Sequence, residues 1–217
     1  MRAQPGDQIE IFDGRGQSSA AIVQTIQKRF VLIRLLGERQ IDPPSVCETV
    51  LAVAVPKGDR WGWMIEKVTE LGVDRFIPLS TFRSVVHPRD QKLHKGEQIS
   101  LAACKQSGRN RELTIEPICP LHELLRRPEL KTALIQVGCP GGKSPASICS
   151  AGTCNSTLRI GIVGPEGGLT ADEMQAIEAA GGKPVSLSPF VLRIETAAVA
   201  FAAWFATLPR NPSDPQL

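Results

Sequence analysis

The chain lacks tyrosine altogether, and aromatic residues make up only 5% of its 217 residues. A core must therefore be aliphatic, and with 42% apolar residues there is enough Val, Ile, Leu and Ala to build one. Charge of one sign is also missing: 25 Lys and Arg against 22 Asp and Glu leave a formal net charge of +3. That balance is too even to announce a nucleic-acid partner by itself. The six cysteines, at 47, 104, 119, 139, 149 and 154, include no C-x-x-C pair, and the three histidines (His87, His94, His122) have no ligand spacing. Zinc-ribbon and dithiol-redox chemistry are thereby set aside, no metal is expected, and free thiols in a reduced cytoplasm are the plain reading. No apolar run near the start reads as a signal peptide. The uncharged stretch Thr196–Pro209 falls short of the roughly 20 residues a bilayer demands.

Two regions differ in pattern. In residues 1–44, Gly6-Asp7 and Asp13-Gly14-Arg15-Gly16 punctuate three segments rich in β-branched residues, Gln8–Phe12, Ala20–Ile26 and Phe30–Leu36. This predicts a small all-β module closed by a stiff Pro43-Pro44 hinge. From residue 50 to about 210, strands and helices alternate. Val50–Val55 reads as a strand covered on both faces. Asp59 is placed to cap a helix whose Trp61, Ile65, Val68 and Leu71 recur at helical spacing, ended by Gly72. Further strands are expected at 76–79, 113–118, 132–137, 158–163 and 184–187, and helices at 90–107, 121–127, 171–180 and 196–208. Residues 138–156 read as a Gly/Pro/Ser-rich loop. Such alternation predicts an α/β fold around a mostly parallel sheet. Residues 197–206 are apolar on every side, so that helix needs cover on more than one face, and a homodimer would supply it.

Three segments carry chemistry. Gly164-Pro165-Glu166-Gly167-Gly168 follows a buried strand, at the sheet edge where open α/β folds place ligands. Its glycines let a ligand approach backbone groups closely. Thr170 and Glu173 form a capping box behind it, which occupies the orphan donors that would attract phosphate. With Glu166 adding negative charge, the loop suits a neutral or cationic ligand, although a plain tight turn has the same residues. Leu187–Ala197 brings Arg193, Glu195 and Thr196 together; an Arg–Glu pair anchoring the loop would explain them equally. Between Arg83 and Arg111, the basic Arg83, Arg89, Lys92, Lys95, Lys105, Arg109 and Arg111 face only Asp90 and Glu97. A phosphate backbone could dock there, though solvated helix faces carry such runs as well.

These segments occur in one order with others: Lys57-Gly58-Asp59-Arg60, Glu66-Lys67, Glu70-Leu71-Gly72-Val73, Arg83-Ser84-Val85-Val86, Gln106-Ser107-Gly108-Arg109, the glycine loop, and Leu192-Arg193-Ile194-Glu195-Thr196-Ala197. Over most of residues 50–206 the order resembles the RsmE family, which methylates uridine N3 in 16S ribosomal RNA. The resemblance implies a SPOUT-type domain with a C-terminal trefoil knot, an obligate homodimer and S-adenosyl-L-methionine as cofactor. Residues 1–44 resemble the family's PUA-like β-barrel, with its usual opening segment shortened. Cofactor contacts would then come from Val163, Gly164, Pro165, Glu166, Gly167, Gly168, Leu187, Ser188, Val191, Leu192 and Thr196. Arg193 would steady charge on the uracil, and Glu195 or Glu166 would take its proton. Arg83, Lys105, Arg109 and Arg111 would face RNA. The chain departs from the family at Phe82 (usually Glu), Leu113 (Pro), Ser188 (Gly) and Phe190 (Arg), and at Cys104 and Lys105. Ribose 2′-O-methyltransferases of the same superfamily are the enzymatic alternative; their Asn-Glu pair and Ser-Asn segment are not found in matching context. The other alternative is a ribosomal RNA-binding protein without activity, in which drift would have been free to break the glycine loop and the Leu192–Ala197 segment.

Overall fold

A computed structural model describes residues 3–86, 90–149 and 156–209. Two sheets divide it. The first is antiparallel, from β1 (Gln8–Phe12), β2 (Gln17–Ile26), β3 (Val31–Leu35) and β4 (Gln40–Ile41), with β2 pairing all three others. Among the described residues it remains an open sheet and does not close into a barrel.

The second sheet has seven strands: β5 (Glu48–Ala54), then α1 (Arg60–Glu70), β6 (Arg75–Ser80), α2 (Asp90–Ser107), the short β7 (Thr114–Ile115) and β8 (Cys119–Pro120), α3 (Leu121–Leu124), β9 (Leu134–Lys143), α4 (Pro145–Cys149), β10 (Leu158–Val163), α5 (Ala171–Ala179), β11 (Lys183–Val185) and α6 (Ile194–Ala206). Strand order is β11-β9-β10-β5-β6-β7, with β8 also on β6, and every pairing is parallel. Side chains alternate across each strand. On β5, Leu51 and Val53 join Trp61, Met64, Phe201 and Phe205 on one side, while Val50 and Ala52 join Ile77, Leu124, Ile160 and Ile177 on the other. Helices α1 and α6 thus cover one face and α3 and α5 the other, which explains the apolar runs at 50–54 in β5 and 160–163 in β10. A Cβ on Gly161 would lie 2.9 Å from Leu51 and 3.0 Å from Phe201, so the missing side chain is what seats α6 on the sheet.

Several expectations change. The segment predicted as a loop from 138 is ordered as far as Cys149: β9 runs on to Lys143 and α4 follows, while 150–155 lie outside the described residues. Hydrogen bonding to the neighbouring strand β11 carries β9 past the residues its composition supports, with a register shift between Pro184 and Val185. The predicted strand 113–118 breaks into β7 and β8, with Pro117 between them removing a ladder donor. The helix predicted over 121–127 shrinks to Leu121–Leu124, and α6 starts two residues earlier than its apolar run suggests. Asp59 does hold the N-cap position of α1, but its side chain makes no capping hydrogen bond and its φ and ψ are helical.

The two sheets are tied by more than Pro43-Pro44. Arg15 and Arg111 form an antiparallel bridge, Gly16 donates to the Asn110 carbonyl (3.1 Å) and Glu112 to that of Gly14 (2.9 Å). Asn110 Nδ2 reaches Asp42 Oδ2 at 2.6 Å. The glycines of the Asp13–Gly16 turn allow this docking, because a Cβ on Gly16 would overlap the Arg111 guanidinium.

Candidate active site

The loops that leave the carboxyl ends of β10 and β11, with the neighbouring stretch of β9, enclose one cleft of about 450 Å³. Strand β9 itself contributes Gly138, Cys139 and Pro140; from β10 come Val163–Leu169, and from β11 residues between Val185 and Leu192. All the residues predicted to contact cofactor line this cleft except Thr196, which lines an adjoining hollow. The β9 wall is an addition that the sequence reading missed, since its Gly138 and Pro140 were read as part of an irregular segment.

The glycine loop is held in shape from both ends. Gly168 has φ +72°, a region that other residues enter only with strain, and its N–H closes a turn onto the Pro165 carbonyl (2.8 Å). The predicted capping box is present: Thr170 Oγ1 accepts from Glu173 N at 3.2 Å, and Glu173 Oε2 accepts from Thr170 N at 2.8 Å. The other oxygen, Glu173 Oε1, accepts from Phe82 N at 2.8 Å, which ties the loop after β6 to the start of α5. Arg83 Nη1 then donates to the Gly167 carbonyl at 2.7 Å. Arg83, predicted to face RNA, is a bracket on the glycine loop.

The acidic residues meet a cation that the sequence reading did not single out. Arg60 Nη1 lies 3.1 Å from Glu166 Oε1 and 3.6 Å from Glu195 Oε1. One guanidinium on the first turn of α1 thus joins the glycine loop to the first turn of α6. Glu166 is half exposed, whereas Glu195 is 6% exposed and its Oε2 is buried without a hydrogen-bond partner. Its position near the N-terminus of α6 favours the charge. The Arg–Glu loop anchor weighed above exists, but the arginine is Arg60. Arg193 caps α6 with its backbone only, and its exposed side chain has no hydrogen-bond or ion-pair partner among the described residues. The signal for Arg60 lay in the Lys57–Arg60 motif.

The other predicted RNA contacts divide. Lys105 is exposed on the last turn of α2. Arg109 is mostly buried and anchors α1 and β6, donating to the Thr69 carbonyl (2.8 Å) and pairing with Asp74 (3.5 Å). Arg111 donates to the Asp42 carbonyl at the seam between the sheets. Lys92 donates to the Pro56 carbonyl over the Trp61 ring, and burial pulls its pKa down. Arg89 and His87 lie outside the described residues. The departures noted above also sort themselves: Leu113 and Cys104 are core residues, while Phe82 and Phe190 are exposed, and Ser188 Oγ accepts from Phe190 N (3.1 Å) in a turn at the cleft. Among the described residues no cluster of His, Cys, Asp or Glu could hold a metal ion, and no helix is long and apolar enough to cross a membrane.

Comparison with known proteins adds the following. A family model described as RNA methyltransferase domain matches residues 43–206. The ribosomal RNA small subunit methyltransferase E of Bacillus subtilis is 32% identical over 206 residues, spanning 91% of this chain and 80% of that protein. The protein of the same name from Rickettsia conorii is 31% identical, spanning 94% and 82%. Among solved structures, the ribosomal RNA small subunit methyltransferase E from Neisseria gonorrhoeae, bound to S-adenosyl methionine, superposes with a TM-score of 0.82 at 30% identity, covering 92% of this chain and 82% of that one.

Proposed function

The chain belongs to the ribosomal RNA small subunit methyltransferase E family, and from that premise we infer that it transfers a methyl group from S-adenosylmethionine to N3 of a uridine in 16S ribosomal RNA. The single observation that carries the site assignment is the convergence of the loops after β10 and β11 and the β9 strand on one cleft beside Arg60, Glu166, Glu195 and Arg193.

The residues present fit the cofactor. The cleft has a mostly apolar wall, and the Gly164–Gly168 loop exposes backbone rather than side chains, as an adenosine needs. Glu166 at its rim suits a sulfonium cation. Bound there, S-adenosylmethionine would supply an electrophilic methyl group. Val163–Gly168, Leu187, Ser188, Val191 and Leu192 would hold it through backbone and apolar contacts, with Thr196 on the adjoining side. Most of the catalysis is then orientation, bringing N3 into line with the methyl. N3 would lose its proton as it attacks, and the negative charge this leaves would spread over the uracil oxygens until the N3–methyl bond forms in exchange for the sulfur–methyl bond. The Arg193 guanidinium, which has no partner among the described residues, steadies that charge. Glu195 accepts the proton, and Glu166, which pairs with the same Arg60, is the alternative acceptor.

The same reading extends to the architecture. Helix α6 follows β11, the edge strand, yet packs against β5 and β10 inside the sheet, a crossing that supports a SPOUT-type trefoil knot. Ala203 and Ala206 are exposed, and Val199, Ala200 and Trp204 only half-buried, on the outer face of an almost wholly apolar helix, which supports a homodimer packed on α6. Residues 1–44 serve as a separate RNA-binding module of PUA type, with 50–210 as the methyltransferase domain, and the exposed Lys105 and Arg83 mark the RNA-facing side. A ribosomal substrate supports a cytoplasmic setting, as do the free thiols of Cys104, Cys119 and Cys139 among the described residues.

The test is tritium transfer from labelled S-adenosylmethionine to small ribosomal subunits that lack N3-methyluridine, with product nucleosides identified by mass spectrometry. Label in 3-methyluridine is expected. Label in a 2′-O-methylated nucleoside would move the protein to the ribose methyltransferases, and absence of cofactor binding would remove the methyltransferase reading.

A further inference from the structure

Beside the cofactor cleft lies a second, more open hollow of about 470 Å³, lined by Arg60, Trp63, Val191, Leu192, Arg193, Glu195 and Thr196. It shares Val191 and Leu192 with the cleft, so a single stretch of chain separates the two. Its walls bring the polar groups placed at the reaction together with one side chain that has no other evident task, Trp63. Trp63 is 47% exposed, while Trp61 two residues earlier is 2% exposed. The helical period turns Trp61 into the core and leaves the Trp63 indole on the surface, in this hollow. Glu195 is an acceptor with one oxygen unpartnered in the wall, and Arg193 is a donor without a partner among the described residues.

We propose that this hollow is the pocket for the substrate base, an inference that rests on the methyltransferase reading above. Trp63 stacks on the uracil turned out of its RNA stack, as aromatic side chains do with unpaired bases. The polar edge of uracil presents acceptor, donor and acceptor in sequence: one carbonyl, N3–H and the other carbonyl. Arg193, Glu195 and the Thr196 hydroxyl offer the complementary donor, acceptor and donor. Cytosine would turn a lone pair at N3 toward the Glu195 carboxylate, so the same groups select uridine by leaving the wrong base unpaired. Arg60 is a positioning residue here, because its ion pairs with Glu166 and Glu195 link the cofactor loop to the base pocket.

The experiment uses the full chain, saturating S-adenosylmethionine and small ribosomal subunits lacking N3-methyluridine. Trp63→Ala is expected to raise KM for the subunits about tenfold, the loss of one stacking contact, while cofactor affinity by calorimetry and the subunit stoichiometry stay unchanged. Trp63→Phe, which keeps an aromatic face, is expected to recover most of the loss. Arg60→Met is expected to lower kcat, with Arg60→Lys restoring it. An unchanged KM in Trp63→Ala overturns the pocket, as does a variant whose only defect is dissociation of the subunits. If the unaltered protein binds cofactor but makes no 3-methyluridine, the functional reading fails first and takes the pocket with it.

Discussion

The two edges of the seven-stranded sheet carry similar charges arranged for opposite ends. At the amino edge, Arg75 at the start of β6 meets Glu48 (2.9 Å), Glu116 (2.9 Å) and Glu129 (2.9 Å), and Arg127 adds a second cation on Glu116 (2.8 Å). Burial would push the Glu116 carboxyl upward, but the hydrogen bonds from Arg127 and Arg75 outweigh it and hold its pKa below the usual carboxylate range. Nearby, the buried Arg159 guanidinium donates to the Leu208 and Pro209 carbonyls just beyond α6. At the carboxyl edge one arginine serves two carboxylates, and among the described residues a buried carboxylate oxygen lacks a hydrogen bond and Arg193 has no partner. An edge that closes its charge network stabilises; an edge that leaves groups unanswered holds them ready for a ligand. The strand direction decides which is which, since parallel strands gather their outgoing loops at one end.

The comparison can be broken most severely at Arg193. Arg193→Ala is expected to cut single-turnover methyl transfer about a hundredfold while cofactor affinity by calorimetry is kept; a matching loss of both would make its role structural. At the opposite edge, Arg75→Ala strands Glu48 and leaves Glu116 and Glu129 to Arg127 alone, which on a partly solvated surface should cost about 2 kcal/mol in urea unfolding, less than a fully buried pair would. Turnover per folded molecule should not change. Thr170→Ala removes one half of the capping box behind the glycine loop, with an expected cost of about 1 kcal/mol, read as a lowered thermal midpoint. The smallest effect is pH-dependent. Because the folded pKa of Glu116 is lowered, its contribution is present above the unfolded carboxylate value and is lost as pH falls through the folded one. The thermal midpoints of the unaltered protein and Arg75→Ala should therefore converge in acid, and a gap that persists there would place the effect elsewhere than in the ion pairs.

Much of the site was legible because its signals are local. Gly164–Gly168 and the Thr170–Glu173 box needed only a strand before and a helix after them, and both are where their residues put them. The site's partners in space were not legible. Arg60 and Glu166 are 106 positions apart, as Arg83 and Gly167 are 84 apart, and no periodicity links them. The end of β9 was hidden for a related reason: Cys139–Lys143 have little strand propensity, and only pairing with β11 keeps them extended. Arg109 and Arg111 looked like members of a basic run, yet one holds the end of α1 and the other the seam between the sheets.

By itself the sequence determined the mostly parallel α/β class, the all-β character of the first 44 residues, the glycine loop with its cap and the family to which the chain belongs. Each depends on residues close in the chain, where apolar period, turn chemistry and capping act over a few positions. The tertiary structure alone decided that β9 and the loops after β10 and β11 share one cleft, that Arg60 joins Glu166 to Glu195, and that Trp63 faces the hollow beside them. Those facts arise from strand order, and strand order is set by burying both faces of the sheet at once, a condition that involves the whole chain.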